Sequence, residues 1–198
     1  MTIAAVLLAA GQSARFGSAD KLAASLDGLP LGAHAARTLL TLPLTMRFVV
    51  TGPFTFPWHG FEQVPNDRPE EGMGRSIALG TEAARRAGAE AVLIALADMP
   101  FVSSGHFERL LSFHHGPGTL IASSDGSRRM PPALFGADWF DVLEKLSGDH
   151  GARNLLGEAK LVQAAADELT DIDDPDDLLA AIASGRVVDR VDDCGRGP

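Results

Sequence analysis

The chain opens on an apolar run, Ile3 to Ala9, and carries a second at Ala91 to Ala97. Neither alternates with polar residues, so each reads as a strand covered on both faces. Shorter runs predict further strands at Met46–Thr51, Phe61–Val64, Thr119–Ser123 and Leu161–Ala165. Apolar positions at helical spacing predict helices over Leu31–Leu42, Met73–Ala87, Ser103–His114, Ala137–Leu146, Ala152–Gly157 and Pro175–Ser184. Strands that alternate with helices predict an α/β domain on a mostly parallel sheet, with ligands beyond the carboxyl ends of the strands. Two segments fall at such ends, Ala10–Lys21 and Asp98-Met99-Pro100, which predicts one shared site. The aromatic stretch Pro53–Trp58 reads as a loop packed on the core.

Composition narrows the picture. A length of 198 residues suits one domain, here residues 1–185 with a polar, fraying tail over 186–198. A net charge of −9 argues against nonspecific nucleic-acid binding, so no nucleic-acid partner is expected. An acidic chain that binds an anion needs local cations or a metal. The single cysteine, Cys194, rules out an intrachain disulfide or a cysteine metal cluster. No apolar run reaches the ~18–20 residues of a membrane span, and Met1-Thr2-Ile3 lacks a charged signal-peptide start. The expectation is a cytoplasmic protein with no membrane partner.

The segment Leu7 to Lys21 carries the most chemistry. A buried strand delivers a loop of small residues, where backbone N–H groups near Gly11 can approach a phosphate closely. Arg15 and Lys21 follow and can neutralise part of a polyphosphate. It is not a Walker A loop, because Ser18-Ala19-Asp20 separates Gly17 from Lys21. Nor is it a dinucleotide fingerprint, since only one of the three required glycines stands at the right spacing.

Asp98 ends an apolar strand and precedes Met99-Pro100, where the chain must turn. Its carboxylate would face the ligand crevice and suit a magnesium ion, which takes one or two carboxylates plus substrate phosphates. Ser103 and Ser104 already supply a cap for the next helix, so Asp98 is not needed there. In Asp171-Ile172-Asp173-Asp174-Pro175, alternation puts Asp171 and Asp173 on one side, while Asp174 before Pro175 reads as an N-cap. The polar loop Asn66 to Ser76 feeds a helix N-terminus that would attract an anion. There Gly72 and Gly74 permit close approach, Arg75 could pair with phosphate, and Asn66 could read a base or ribose edge. No convincing His–Asp or Ser–His catalytic pair is apparent.

Taken together, Ala9, Ala10, Gly11, Ser13, Arg15, Gly17 and Lys21 resemble the signature LAAGxSxRFGxxDK of the MobA-like nucleotidyltransferases. The nearest branch is that of the molybdenum cofactor cytidylyltransferases. The resemblance runs from Val6 to Leu178 and includes Leu-Ala-Asp-Met-Pro around Asp98, similar to the family's metal motif. It also takes in its N-x(5)-GM-x-x-S and DIDxPxDL patterns and the segment Gly148-Asp149-His150-Gly151-Ala152-Arg153. It implies a three-layer, Rossmann-like fold of the nucleotide-diphospho-sugar transferase type. It further implies that Leu8, Ala9, Ala10, Gly11, Ser13, Arg15, Lys21, Asn66, Gly72 and Ser76 bind nucleotide. Gly74, Arg75, Pro131, Asp149 and Arg153 would then bind the acceptor, Asp98 and Asp173 would hold Mg²⁺ or Mn²⁺, and Lys21, Arg15 and Asp98 would be catalytic.

Ala10 stands where the guanylyl branch has LAGG, which favours CTP over GTP. The implied reaction moves CMP from CTP to a molybdopterin-type cofactor, with a molybdoenzyme or its maturation chaperone as a further partner. Use of GTP, or of another phosphorylated acceptor, including a sugar phosphate, is the alternative within the class. A noncatalytic accessory factor is the alternative outside it, although Lys21 and Asp98 are both retained. The family's usual Gly-His-Pro sequence is replaced at Arg128-Arg129-Met130-Pro131-Pro132, where Met130 takes the place of His.

Overall fold

The computed structural model describes residues 2–11, 16, 20–52, 56–148, 154–165 and 167–185. Its strands are Ile3–Ala9 (β1), Ser25–Leu26 (β2), Leu29–Pro30 (β3), Met46–Thr51 (β4), Glu62–Pro65 (β5), Ala91–Leu96 (β6), Leu120–Ser124 (β7), Arg129–Gly136 (β8) and Lys160–Gln163 (β9). Its α-helices are Leu31–Thr41 (α1), Met73–Arg86 (α2), Ser104–Ser112 (α3), Phe140–Leu143 (α4) and Pro175–Ala183 (α5). Seven strands form one sheet in the order β5-β4-β1-β6-β8-β7-β9, and β2 and β3 make a separate hairpin. Pairing is parallel from β5 through β6 and between β7 and β9, while β8 runs antiparallel to both its neighbours.

The buried runs at β1 and β6 account for the layers. Along β1, Ala5, Leu7 and Ala9 face a core shared with α1 and α3, including Leu39, Phe107 and Leu110. Ala4, Val6 and Leu8 face the opposite core, with Ile77 and Ala84 of α2 and Phe140 and Leu143 of α4. The result is a three-layer α/β fold on a mostly parallel sheet. Each fully buried Leu or Phe in these layers contributes about 1.5–3 kcal/mol relative to exposure. A third, small cluster joins Leu26, Leu31, Ile172 and Ala181, and it anchors the chain around Asp171 to Asp174.

Several predicted elements differ in detail. Strand β8 has no counterpart among the predicted strands; Pro131 and Pro132 interrupt it, and prolines cannot donate to a ladder. The structure accommodates them at a register shift: Ala122 pairs with Ala133, but Ser123 pairs with Met130. Pro131 and Pro132 are thereby set out of the pairing. The helix expected over Ala137–Leu146 is shorter, a 3₁₀ turn at Ala137–Trp139 followed by α4. Of the helix expected over Ala152–Gly157, the described part is a brief helical stretch at 154–155 that passes into a 3₁₀ turn at Leu156–Glu158. Strands β5 and β9 sit one residue away from their expected starts. Phe56 and Trp58 pack edge to face with centroids 4.5 Å apart, and Trp58 is buried, as expected of core satellites; Pro53 to Thr55 lie outside the described residues.

Helix α2 lies close on the sheet because Gly80 has no side chain there. A Cβ at Gly80 would stand 2.3 Å from Val6 Cγ1 and 3.1 Å from Val50 Cγ2. Both valines are fully buried and stiff at χ1. Gly80→Ala would gain about 1 kcal/mol of helix propensity but incur overpacking of about 1–3 kcal/mol. The expected outcome is a lower thermal midpoint, and a raised midpoint would show that α2 can lift from the sheet without cost.

Candidate active site

The carboxyl ends of β1 and β6 lie side by side at the centre of the sheet. Beyond β1, Ala10 and Gly11 line a crevice of about 300 Å³ together with Lys21, Gly72, Ser76 and Asp98. Leu8 and Ala9 form its floor. Lys21 begins a short 3₁₀ turn, Lys21–Ala23, whose start is fixed by Asp20 accepting the Leu22 N–H at 2.8 Å. That cap turns the Lys21 side chain inward. Its ammonium donates to Asp98 Oδ2 at 2.7 Å and to Asp173 Oδ1 at 3.1 Å. Three segments remote in sequence therefore converge on one buried charge.

The tail of the chain is brought in by backbone bonding and a hydrophobic plug. Ile172 is fully buried, and its N–H donates to the Asp98 carbonyl at 3.0 Å. Alternation then turns Asp171 and Asp173 the other way, where both line a second cavity. Asp174 caps α5 by accepting the Asp176 and Asp177 N–H groups, and Asp177 accepts the Asp174 N–H in return. Asp174 therefore does the capping and leaves Asp173 for the site.

Charge in this cluster is finely opposed. Burial works against the Lys21 ammonium, but Asp98 and Asp173 outweigh it and raise its pKa above the usual lysine value. Burial is also the main cause that raises the Asp98 pKa; Lys21 opposes it, and Asp173 and Asp171 add to it. The two directions are compatible, since one ammonium offsets only part of the cost of a buried carboxylate among acids. Among the described residues, Asp98 Oδ1 is buried without a hydrogen-bond partner. An oxygen of this kind, beside a second carboxylate, fits a divalent cation, whose other ligands would be water and substrate phosphate. Among the described residues no group of three or more His, Cys, Asp or Glu side chains is placed to hold a metal by itself.

The loop before α2 is braced more tightly than its sequence implied. Gly72 has a φ of +88°, a conformation that requires glycine, and it lines the crevice. Gly74 packs against Ser147 and Gly148, and its N–H donates to the Gly148 carbonyl at 2.9 Å. Asn66 is buried and donates to Ser76 Oγ at 3.0 Å, while its Oδ1 accepts from the Arg68 N–H and from Arg75 Nε. Arg75 also pairs with Asp67 at 2.6 Å and with Glu71 at 3.4 Å. Asn66 and Arg75 thus set the shape of the loop, and Ser76 is the member of this group that reaches the crevice.

The second cavity, about 690 Å³, adjoins the first at Leu8, Met73, Leu96 and Asp98. Its floor is apolar, with Ile94, Ala133 and Phe135, and Met130 and Pro131 form one wall. Arg128 pairs with Asp125 at 3.0 Å, and Arg129 donates to the carbonyls of Leu156 and Gly157. Behind this wall stands a polar chain that the sequence did not reveal. Ser123 Oγ donates to the Pro132 carbonyl at 2.7 Å and lies 2.7 Å from His106 Nε2, and His106 Nδ1 lies 3.0 Å from Arg109 Nη2. These contacts assign the neutral tautomer with its proton on Nε2, in keeping with burial lowering the His106 pKa. Both Ser123 and His106 are fully buried. A lone His and Ser 17 positions apart carry no sequence pattern, so only the fold could pair them. Of the remaining predicted residues, Ser13, Arg15, Asp149 and Arg153 lie outside the described residues.

The sheet is parallel apart from one internal antiparallel strand, β8, and a two-part crevice lies beyond its central strands, where α/β folds place their ligands. Residues 5–166 match the MobA-like NTP transferase domain, and the chain belongs to that family. It is 32% identical over 191 residues to the purine catabolism protein PucB of Bacillus subtilis (strain 168), covering 87% of this chain and 92% of that protein. Its fold is similar to that of a nucleotidyl transferase from Methanothermobacter, with a TM-score of 0.79 and 23% identity over 92% of this chain and 97% of that one. It is similar also to Rv0371c of Mycobacterium tuberculosis in complex with manganese, with a TM-score of 0.73 and 19% identity over 93% of this chain and 100% of that one. No helix among the described residues is long and apolar enough to cross a membrane.

Ser123→Ala would leave the Pro132 carbonyl and His106 without their shared partner. The expected cost is about 1–3 kcal/mol of stability, read by urea denaturation. An unchanged midpoint would mean that the register shift in β8 holds without this contact.

Proposed function

We propose that this chain transfers CMP from CTP to the phosphate of a molybdopterin-type cofactor and releases pyrophosphate, with a divalent ion held by Asp98 and Asp173. The observation that carries this reading is the meeting of Lys21, Asp98 and Asp173 where the two cavities adjoin. The smaller, beside Gly11, Lys21 and Ser76, suits a triphosphate; the larger, with its apolar floor, suits a broad acceptor. An oxygen of the acceptor phosphate forms a bond to the α-phosphorus of CTP as the bond to the β-phosphate oxygen breaks in line. That acceptor oxygen is already ionised near neutral pH, so the reaction requires no general base.

The chain contributes position and charge, which dominate in such transfers. Backbone N–H groups near Gly11 would face the phosphates, with Gly72 lining the same crevice and Ser76 Oγ hydrogen-bonding beside them. Lys21 would offset the charge that develops on pyrophosphate, with Arg15 as its partner from the same loop. A bound divalent ion would polarise the α-phosphate, a contribution worth several kcal/mol. Gly74, Arg75, Pro131, Asp149 and Arg153 are assigned to acceptor positioning, Arg75 through the loop it braces. The setting of this reaction is the cytoplasm.

A second reading is a nucleotide-binding accessory factor for molybdoenzyme maturation without turnover. The likeness to a protein described by purine catabolism, and not by a reaction, favours keeping it. Pyrophosphate release separates the two. With Mg²⁺ and molybdenum cofactor present, release is expected with CTP in preference to GTP, ATP or UTP. Triphosphate binding without release from any of them would favour the accessory role. Lys21→Ala is expected to lower turnover more than tenfold, over ~1.4 kcal/mol of transition-state stabilisation. Asp98→Asn is expected to abolish Mg²⁺-dependent turnover with the circular dichroism spectrum unchanged, and activity surviving at ordinary Mg²⁺ would move the metal elsewhere.

A further inference from the structure

The space between Asp98 and Asp173 is filled by a cation that the chain itself supplies. Lys21 Nζ lies 2.7 Å from Asp98 Oδ2 and 3.1 Å from Asp173 Oδ1. Magnesium binds oxygen at ~2.0–2.1 Å, so it cannot take these two oxygens while the ammonium stands between them. The ammonium does not saturate the pair: among the described residues, Asp98 Oδ1 is buried without a hydrogen-bond partner. The backbone of Lys21 is held by the capped 3₁₀ turn, but its four-carbon stem lets the charge swing. Lys21 also lines the crevice assigned to triphosphate. Rotation of one side chain can therefore carry the charge from the carboxylates to the phosphates.

We propose that Lys21 is an internal counter-ion for this carboxylate pair. It holds Asp98 and Asp173 together before substrate arrives, keeps a lone divalent ion from them, and moves its charge onto the triphosphate when nucleotide and metal enter as one unit. The proposal rests on the reading of Asp98 and Asp173 as the metal pair. It makes binding ordered. Two carboxylates are all that the described residues bring to the ion, so the phosphates must complete its coordination. Removing the lysine charge should then improve binding of the metal alone, although the same change weakens binding of the triphosphate.

The test is a titration of the full chain with Mn²⁺ alone, followed by the electron paramagnetic resonance signal of unbound ion. Lys21→Met is expected to bind Mn²⁺ at least tenfold tighter than the unsubstituted chain, and the gain is expected to vanish in Lys21→Met combined with Asp98→Asn. Lys21→Gln, which keeps an N–H donor without the charge, makes the same comparison if the Met variant does not fold. Equal or weaker Mn²⁺ binding in the lysine variants overturns the proposal. A parallel titration with CTP present separates this inference from the reading beneath it. If Asp98→Asn then binds Mn²⁺ as well as the unsubstituted chain does, the metal pair itself is wrong and the proposal falls with it. If Asp98→Asn loses the ion there while the lysine variants show no gain without nucleotide, the internal counter-ion alone is wrong.

Discussion

A lysine ammonium held between two carboxylates, with Lys21 and Asp98 largely out of water and Asp173 part-exposed, constrains the residues around it. Desolvating such charges costs several kcal/mol per ion, and only close, well-oriented contacts offset that cost. Lys21 comes from the loop after β1, Asp98 from the end of β6, and Asp173 from the segment before α5. Their meeting ties together three segments remote in sequence. The central parallel pair β1 and β6 supplies the rigid frame, and the buried Ile172 pins the third segment to the Asp98 backbone. The cluster is thus a joint of the fold, set where the two cavities adjoin.

Around that joint the protein separates two kinds of surface. The crevice beside Gly11 and Gly72 is lined by small residues and backbone, which suits close approach by phosphate. The cavity beyond it has an apolar floor and a wall made by the displaced prolines of β8. Cations that the sequence offers freely are mostly engaged by neighbours: Arg75 by Asn66, Asp67 and Glu71, Arg128 by Asp125, and Arg129 by main-chain carbonyls. Local bracing, not ligand charge, is what these arginines provide in the protein as it stands.

The antiparallel strand β8 shows how one irregularity can organise a site. Setting Pro131 and Pro132 out of register leaves the Pro132 carbonyl without a ladder partner, and Ser123 takes it up from behind. His106 orients Ser123, Arg109 reaches His106, and Glu168 pairs with both Arg109 and the Ser103 hydroxyl. A buried polar chain of this kind is stable only when every member is satisfied, so it fixes one arrangement of the wall.

Much was legible in the chain itself. The unbroken apolar runs at Ile3–Ala9 and Ala91–Leu96 read as strands buried on both faces, and the small residues after the first read as a loop open to close approach. Alternation around Ile172 put Asp171 and Asp173 on one side, and the Asp174-Pro175 pair marked the helix cap. These are local properties, set by period, side-chain size and capping chemistry over a few residues. What tertiary structure alone decided is which distant groups meet. Strand β8 hid behind its prolines because pairing with neighbours, not local propensity, makes it a strand. The contacts of Lys21 with Asp98 and Asp173 span 77 and 152 residues, and that of His106 with Ser123 crosses from a helix to a strand. Periodicity cannot encode such distances; only the packing of the sheet and its layers brings those charges together.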